Sequence, residues 1–295
     1  MPHSPRSFPR LAFIGFGEAA QAFLAGWAPD DPAQVSAYDI LSEDPGTRDL
    51  IQSRYAACGV SGHRTPAQAL AGVGIVFSLV TPDQALAAAT TGASALEPGT
   101  LWLDCNYCAP GTKRQAAQVI AAAGGCYVDV AVMAPVHPKR HLVPLLVSGP
   151  HAERAVEALR GLEMTPEIAG DKIGQASSVK MLRSVMIKGM EALTAECFLA
   201  ARRAGIDKAV IASLEASDPD IDWRARGAYG LERMLVHGAR RAAEMREVSR
   251  TVADLGLSGA MAAAASVWQD RVAACALASG PDELEARLDA LLSRL

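Results

Sequence analysis

The chain has 295 residues, of which 50% are hydrophobic, enough for a large buried core and about two domains. Its net charge of -4 and pI of about 5.9 argue against nucleic acid or an anionic membrane as a partner. No apolar stretch is long enough to span a bilayer. Residues 1–10 lack the apolar core of a signal peptide, and we expect a disordered lead-in there. The six scattered cysteines are expected to be reduced thiols, which predicts a cytoplasmic protein.

Residues 10–39 follow the pattern of a dinucleotide-binding unit. A short apolar run leads into Gly15, Phe16, Gly17, Glu18, Ala19 and Ala20. Gly15 permits a tight turn, Gly17 lets a pyrophosphate approach the backbone, and Ala20 lets the helix pack closely on the strand. The N–H groups at the helix N-terminus are suited to binding phosphates. We therefore expect these six residues to bind the cofactor, the alternative being a structural strand-to-helix turn.

Asp39 ends the second apolar run of this unit. A carboxylate there accepts hydrogen bonds from a ribose 2′-hydroxyl and repels a 2′-phosphate. No basic residue follows at once, since residues 40–44 read Ile-Leu-Ser-Glu-Asp. The pattern favours NAD as the cofactor. NADP stays possible because Arg48 and Arg54 could fold back toward the ribose.

The first part of the chain alternates short apolar runs with helical stretches. This predicts an α/β Rossmann domain over residues 1–170, with a doubly wound, mostly parallel sheet. The candidate strands are 10–15, 34–39, 73–80, 100–104, 125–130 and 143–148. After about residue 170 strand patterns vanish, and residues 171–295 are expected to form an all-α domain. Its candidate helices are 174–205, 206–217, 229–255, 257–279 and 281–294, with Gly205 and Gly256 as helix stops.

Lys180 lies in the helix that opens this second domain. At helical spacing it shares one face with Ser177, Ser184, Lys188 and Glu191, among apolar neighbours. Burial would lower the pKa of such a lysine toward neutrality, which suits a proton-transfer group. The alternative is a lysine whose ammonium stays in water, and the pattern alone favours that alternative.

The glycine pattern, the strand at residues 127–131 and the helix at residues 174–184 resemble the β-hydroxyacid dehydrogenase superfamily. That group includes 3-hydroxyisobutyrate dehydrogenases, tartronate semialdehyde reductases and 6-phosphogluconate dehydrogenases. Residues 104–113 and 237–248 resemble its 6-phosphogluconate dehydrogenase-like branch with a C-terminal domain of unknown function. The resemblance implies a dimerising helical domain and a catalytic lysine, which Lys180 matches. It also implies that Val80, Thr81 and Pro82 contact the nicotinamide half of the cofactor.

The sequence departs from this family in its substrate loop. The family's loop reads Asp-Ala-Pro-Val-Ser-Gly-Gly, whereas residues 129–135 read Asp-Val-Ala-Val-Met-Ala-Pro and lack the carboxylate-binding serine and glycines. The family's asparagine four residues after the lysine is Ser184 here. Fold and cofactor are therefore better supported than substrate. The substrate candidates are Met133, Ala134, Pro135, Ser184, His237 and Arg241.

Several of these residues have a second interpretation. His237 and Arg241 recur at helical spacing with Arg240 and Glu244, so they either replace the missing carboxylate cradle or form an ion-paired helix face. Asn106 follows a strand end, where α/β proteins bind ligands, and is a candidate for contact with substrate or cofactor.

Two further clusters favour a structural interpretation. The basic loop of His137, Lys139, Arg140 and His141 is expected to be solvated rather than to grip an anion. Cys105 and Cys108 form a lone CxxC and are expected to be buried thiols, so no metal site is predicted.

The sequence thus predicts an NAD(P)-dependent oxidoreductase. Hydride would pass between the nicotinamide and a small hydroxyacid or related polar alcohol, with Lys180 as general acid or base. The alternatives are an imine reductase on the same architecture and a cofactor-binding sensor or assembly protein without turnover. A homodimer through the helical domain is expected.

Overall fold

The computed structural model describes residues 8–280 and 282–295, so most of the expected disordered lead-in lies outside the described residues. The chain divides into two compact units, the first ending at Lys180 and the second spanning Met181–Leu295. The division falls within a long helix, Gln175–Arg203. The sequence-based boundary between residues 170 and 171 lies just before that helix and stays a prediction.

In the described part of the first unit, a single eight-stranded sheet has the order β3-β2-β1-β4-β5-β6-β7-β8. Neighbouring strands run parallel except β6 and β7, which pair antiparallel. The predicted doubly wound, mostly parallel fold is confirmed. The strands are β1 (Leu11–Ile14), β2 (Val35–Tyr38), β3 (Ser61–His63), β4 (Ile75–Ser78), β5 (Leu101–Asp104), β6 (Cys126–Val132), β7 (Pro144–Ser148) and β8 (Thr165–Gly170).

The six predicted strands are all present, but the two outermost strands were missed. β3 reads Ser-Gly-His and β8 reads Thr-Pro-Glu-Ile-Ala-Gly, and neither is a continuous apolar run. Edge strands are covered on fewer sides than central strands, so their sequences need less apolar surface and tolerate proline. The apolar-run criterion detects only the strands in the interior of this sheet.

Helices cover both faces of the sheet. Alternate residues of one strand point to opposite sides: Phe13 of β1 belongs to one hydrophobic cluster and Ile14 to another. Trp102 of β5 is fully buried in the second cluster. Two separate cores follow from this alternation. The helices of this unit are α1 (Glu18–Trp27), α2 (Arg48–Cys58), α3 (Pro66–Leu70), α4 (Ala85–Ala93), α5 (Pro110–Ala122) and α6 (Ala152–Gly161).

The described residues of the second unit form helices joined by loops and no strand, as predicted. Gly205 and Gly256 adopt φ angles of 73° and 81° just after two of its helices end, which confirms them as helix stops. Gly238 lets two helices approach, since a β-carbon there would lie 2.7 Å from the Gln269 carbonyl oxygen. The helices are α7 (Gln175–Arg203), α8 (Asp207–Ser217), α9 (Trp223–Asp254), α10 (Ala260–Ala274) and α11 (Leu284–Leu292).

A fully buried ionic cluster joins β5, β6 and α5. The Lys113 ammonium of α5 lies 2.9 Å from Asp104 Oδ1 and 3.5 Å from Asp129 Oδ1, and all three side chains are inaccessible to solvent. The Tyr127 hydroxyl donates to Asp104 Oδ2 at 2.6 Å. Burial by itself lowers the pKa of Lys113, but the nearby carboxylates outweigh burial and raise that pKa. Lys113 therefore stays protonated at neutral pH.

Asp129 also anchors the start of α7. Its Oδ2 accepts hydrogen bonds from the backbone N–H groups of Gly174 (3.1 Å) and Ser177 (3.0 Å) and from the Ser177 hydroxyl (2.9 Å). Ser148 of β7 donates to the same oxygen at 3.1 Å. A carboxylate at a helix N-terminus satisfies orphan donors and interacts favourably with the helix dipole. The beginning of α7 is thus fixed to the sheet.

We expect Lys113→Met to destabilise the protein by about 3–5 kcal/mol, because removing one partner of a buried ion pair leaves uncompensated charge. Urea unfolding followed by circular dichroism measures this change. The exposed Lys172 provides the control, Lys172→Met, for which we expect a change below about 0.5 kcal/mol. Equal stability of the two variants would contradict the importance of the cluster.

Candidate cofactor and catalytic site

The glycine turn after β1 is built as the sequence predicts. Gly15 has φ +88°, and a β-carbon there would lie 2.4 Å from the Leu79 carbonyl oxygen. Its N–H donates to the Tyr38 carbonyl at 2.8 Å. Glycine is required because the turn combines a left-handed conformation with close passage over the loop that follows β4.

The space expected for a phosphate lies at Gly17. This residue is the N-cap of α1, and a β-carbon built on it meets no atom within 4 Å. No side-chain cap hydrogen bond forms at this helix start. Glu18 is exposed in the first turn and Ala19 is half-buried, whereas Ala20 is fully buried beside the sheet. The arrangement fits a dinucleotide diphosphate, which needs open space beside backbone N–H groups.

Phe16 and Asp39 hold the turn together. The Phe16 ring is fully buried, 5.8 Å from the Phe13 ring and 5.3 Å from the Tyr55 ring between centroids. Asp39 Oδ2 accepts the Phe16 N–H at 2.8 Å, and Oδ1 accepts the Leu41 N–H at 3.0 Å. Asp39 therefore shapes the turn besides being the candidate ribose ligand. Each carboxylate oxygen keeps a further lone pair for another donor.

The two arginines that weakened the preference for NAD differ in position. Arg48 donates to the carbonyl oxygens of Ser42 (3.1 Å) and Glu43 (3.0 Å), so it serves the loop after β2. Arg54 lines a surface cavity of about 390 Å³ together with Glu18, Gln21 and His137. Arg54, rather than Arg48, is thus the cation beside the start of α1.

Asn106 joins the loops that follow β4 and β5. Its Oδ1 accepts the Val80 N–H at 2.6 Å, and its Nδ2 donates to the Ser78 hydroxyl at 2.9 Å. Its own N–H donates to Asp104 Oδ1 at 3.0 Å. Asn106 is buried, whereas Val80 and Pro82 are half-buried and Thr81 is exposed. The side chain of Asn106 sets the position of the Val80–Pro82 loop, and contact of these residues with a ligand stays a prediction.

Lys180 is half-buried one turn beyond the anchored start of α7. Its Nζ lies 4.6 Å from the centre of the Tyr107 ring. Tyr107 follows Asn106 directly in the loop after β5. In the sequence, Tyr107 is only one member of the family-like segment 104–113, and its contact with Lys180 was not predicted. A cation and an aromatic ring far apart in sequence give no periodic signal.

Cys105 and Cys108 are both buried and neither forms a disulfide, as expected of reduced thiols. Burial raises the pKa of the Cys105 thiol to about 12, against the opposing charges of Lys113 and Lys180. The thiol is therefore protonated at neutral pH and is a poor nucleophile. Within residues 8–280 and 282–295, no group of three or more histidine, cysteine, aspartate or glutamate side chains is arranged to hold a metal ion.

The predicted substrate loop follows directly after β6. Met133 donates its N–H to the Pro144 carbonyl at 2.9 Å; Met133 and Ala134 are half-buried and Pro135 is exposed. The basic loop that follows is only partly solvated. His141 is buried against Gly26 of α1, and this burial lowers the pKa of His141. The expectation of a solvated loop is therefore wrong for His141, because the absent side chain of Gly26 leaves room for its ring.

The remaining substrate candidates lie in the second unit. Arg241 is buried and ion-paired with Glu191, and Lys188 is buried and paired with Glu244. His237 is half-buried, and burial together with the charges of nearby arginines lowers its pKa. Ser184 is buried on α7. The structure contains the ion pairs that the alternative interpretation of this helix face expected. Substrate contact by Ser184, His237 and Arg241 stays a prediction.

Two protein-family models match this sequence. The model described as the NAD binding domain of 6-phosphogluconate dehydrogenase matches residues 10–158, and a domain of unknown function (DUF1932) matches residues 201–272. An uncharacterized 28.5 kDa protein of Methanothermus fervidus is 24% identical over 245 residues, which cover 82% of this chain and 90% of that protein. Among the described residues, no helix has the length and apolar character needed to cross a membrane.

Solved structures share the fold over nearly the whole chain. A conserved hypothetical protein from Sinorhizobium meliloti 1021 is 38% identical, with 97% of each chain covered and a TM-score of 0.79. The protein MTH1747, of unknown function and similar in structure to 3-hydroxyacid dehydrogenases, is 30% identical over 89% of this chain and 96% of its own, with a TM-score of 0.69. Mycobacterium tuberculosis 3-hydroxyisobutyrate dehydrogenase shares the fold at 17% identity, with 95% and 98% covered and a TM-score of 0.70. Because the first model matches just over half of the chain, this protein belongs to the family that carries the NAD-binding domain of 6-phosphogluconate dehydrogenase, here followed by the C-terminal domain of unknown function.

Proposed function

We propose that this protein is an NAD(P)-dependent oxidoreductase that acts on a small hydroxyacid or a related polar alcohol or carbonyl compound. The observation that carries the proposal is the glycine turn at α1, where Gly17 leaves open space beside a helix start with no side-chain cap. That space fits the diphosphate of a dinucleotide. The match of residues 10–158 to an NAD-binding family supports the same cofactor.

The residues that would hold the cofactor lie at the carboxyl ends of parallel strands. The backbone of residues 15–20 would bind the diphosphate, Asp39 the adenosine ribose, and the Val80–Pro82 loop with Asn106 the nicotinamide half. When bound, the nicotinamide accepts or donates a hydride. The protein's part is to orient the substrate, exclude water and move the proton that accompanies the hydride.

Lys180 is the residue that we assign to proton transfer. In the oxidation direction its neutral amine accepts the proton of the substrate hydroxyl; in the reduction direction its ammonium donates a proton to the carbonyl oxygen. Its half-buried position on an anchored helix supports this role. A base that is already held in place loses less conformational entropy when the transition state forms.

The substrate class rests on the relatives and on polar residues of this chain. The M. tuberculosis relative is a 3-hydroxyisobutyrate dehydrogenase whose structure was determined with L-serine. Met133, Ala134 and Pro135 replace the family's carboxylate-binding loop. We assign substrate contact to these three residues and to Ser184, His237 and Arg241. The Arg241 guanidinium suits a carboxylate, and a substrate carboxylate would compete with Glu191 for it.

The competing enzyme function is imine reduction. An imine reductase and a reductive aminase, both from Aspergillus terreus, share the fold with TM-scores of 0.55 and 0.54 at 16% and 17% identity. Under this alternative Lys180 would be dispensable. A cofactor-binding protein without turnover would be equally indifferent to Lys180.

We expect Lys180→Ala to bind NADH like the wild type but to lose at least about 100-fold in kcat, the usual contribution of a positioned general acid or base. Tryptophan fluorescence measures cofactor binding, and absorbance of the reduced cofactor follows turnover of a hydroxyacid panel. Lys172→Ala is the matched control, because Lys172 is exposed on the segment before α7.

Three outcomes of this experiment would contradict the proposal. Binding without turnover of any hydroxyacid would favour the sensor alternative. Imine reduction that persists in Lys180→Ala would favour the imine reductase. Absence of binding to either reduced cofactor would overturn the assignment of the glycine turn.

We propose a preference for NADH over NADPH, because the Asp39 carboxylate repels a 2′-phosphate. The expected ratio of dissociation constants is at least about tenfold, which corresponds to about 1.4 kcal/mol. Asp39→Ala should narrow this ratio and also weaken binding overall, since the carboxylate accepts the Phe16 N–H. Fluorescence titration with both cofactors measures the ratio, with the exposed Asp49→Ala as control. Tighter binding of NADPH by the wild type would contradict the preference and would indicate that Arg54 binds the 2′-phosphate.

We propose a homodimer formed through the helical domain. Exposed apolar side chains recur along its helices, including Leu182, Met186 and Leu193 on α7, and Val267 on α10. Contiguous exposed apolar surface is typical of a protein interface. Light scattering should give about twice the chain mass of 30.9 kDa, and Met186→Asp should shift the protein toward monomer. Lys208→Asp on the exposed face of α8 is the control, and a monomeric wild type would contradict the proposal.

A further inference from the structure

We propose that Tyr107 is a positioning residue for Lys180, whose ammonium it holds against the face of its aromatic ring. This inference rests on the proposed function, because it assigns Tyr107 a part in the proton transfer by Lys180. Tyr107 would act through Lys180 alone, and no contact between Tyr107 and substrate is needed.

The contact itself has cation–π geometry. Lys180 Nζ lies 4.6 Å from the Tyr107 ring centre, well within the roughly 6 Å over which a ring face attracts a cation. The ammonium carries three N–H donors, so a ring on one side leaves donors for other groups. The contact therefore restricts where the charge lies without occupying every N–H group.

The ring is held on a rigid loop. Tyr107 lies between two buried residues, Asn106 and Cys108. Asn106 is hydrogen-bonded through its backbone to Asp104 and through its side chain to Ser78 and to the Val80 N–H. The loop after β5 thus has little freedom to move the ring.

The lysine is held on an anchored helix. Ser177, one turn before Lys180, bonds to Asp129 through both its backbone N–H and its hydroxyl. Lys113 ion-pairs with both Asp129 and Asp104, the residue to which the Asn106 N–H is bonded. The ring and the ammonium are therefore both fastened to one buried cluster, which fixes them relative to each other.

A flexible lysine side chain samples many rotamers, and a productive proton transfer needs one of them. In the oxidation direction the ring attracts the charge that forms on Lys180 as its amine accepts the proton, so the contact should raise kcat for oxidation and leave cofactor and substrate affinity nearly unchanged. Tyr107→Leu removes the ring and should lower kcat by about threefold to thirtyfold, the range expected for one cation–π contact. Tyr107→Phe keeps the ring face and should stay within about twofold of the wild type.

Nuclear magnetic resonance tests the contact without relying on turnover. In protein labelled with ¹³C-lysine, the ε-methylene signal of Lys180, assigned by its loss in Lys180→Arg, should be shifted upfield by the ring. The shift should persist in Tyr107→Phe and disappear in Tyr107→Leu. Steady-state kinetics on the same proteins then gives kcat and KM. If Tyr107→Leu has a lowered melting temperature, Tyr107→Met provides a longer, unbranched side chain without a ring.

The result expected is loss of the upfield shift together with a fall in kcat at unchanged KM in the variant without a ring. An unshifted Lys180 signal in the wild type would overturn the inference. Unchanged kcat in Tyr107→Leu, with turnover still abolished in Lys180→Ala, would overturn the inference and leave the proposed function intact. Equal loss in Tyr107→Phe would assign the effect to the hydroxyl and overturn the role of the ring. No turnover by the wild type would overturn the proposed function and the inference together.

Discussion

Asp129 carries a buried charge that must be compensated, and three separate segments supply the compensation. Lys113 lies 3.5 Å from one carboxylate oxygen, while the Ser148 hydroxyl and the first N–H groups of α7 donate to the other. An unpaired buried ion costs several kcal/mol, so each partner is needed once the carboxylate is buried. β6, β7, α5 and the start of α7 therefore meet at this one group. The start of α7, up to Lys180, takes its position from these contacts.

The candidate site combines two kinds of construction. The proposed cofactor binding depends mainly on backbone, at the turn of Gly15 and at the open N-cap of Gly17. The Asp39 carboxylate supports this backbone by accepting the Phe16 N–H. The proposed proton transfer depends on side chains whose positions come from the buried cluster of Asp104, Lys113 and Asp129. Asn106 connects the two parts, since it ties the loop after β4 to the loop that carries Tyr107. The backbone part is shared widely among dinucleotide-binding folds.

The position of a strand in the sheet decided whether its sequence predicted it. The central strands are buried on both faces, so they need continuous apolar runs such as Leu11–Ile14, and such runs stand out in a sequence. The edge strands Ser61–His63 and Thr165–Gly170 are partly exposed and contain polar residues, glycine or proline. Their strand conformation comes from pairing with a neighbour and not from their own composition. Similarly, α9 begins at Trp223, before the predicted residue 229, because the Asp222 side chain accepts the Ala225 N–H.

The sequence by itself determined the Rossmann and helical parts, the glycine turn and the candidate acid at Asp39, because each depends on neighbouring residues and on a fixed periodicity. Only the tertiary structure shows what Lys113, Tyr107 and Arg241 contact. Lys113 ends the family-like segment 104–113, where the sequence assigned it no role, and it is a fully buried ion; Arg241 is ion-paired with a residue of another helix. Such pairings join positions far apart in the chain. Their energies depend on burial and distance, and neither quantity is encoded in local pattern.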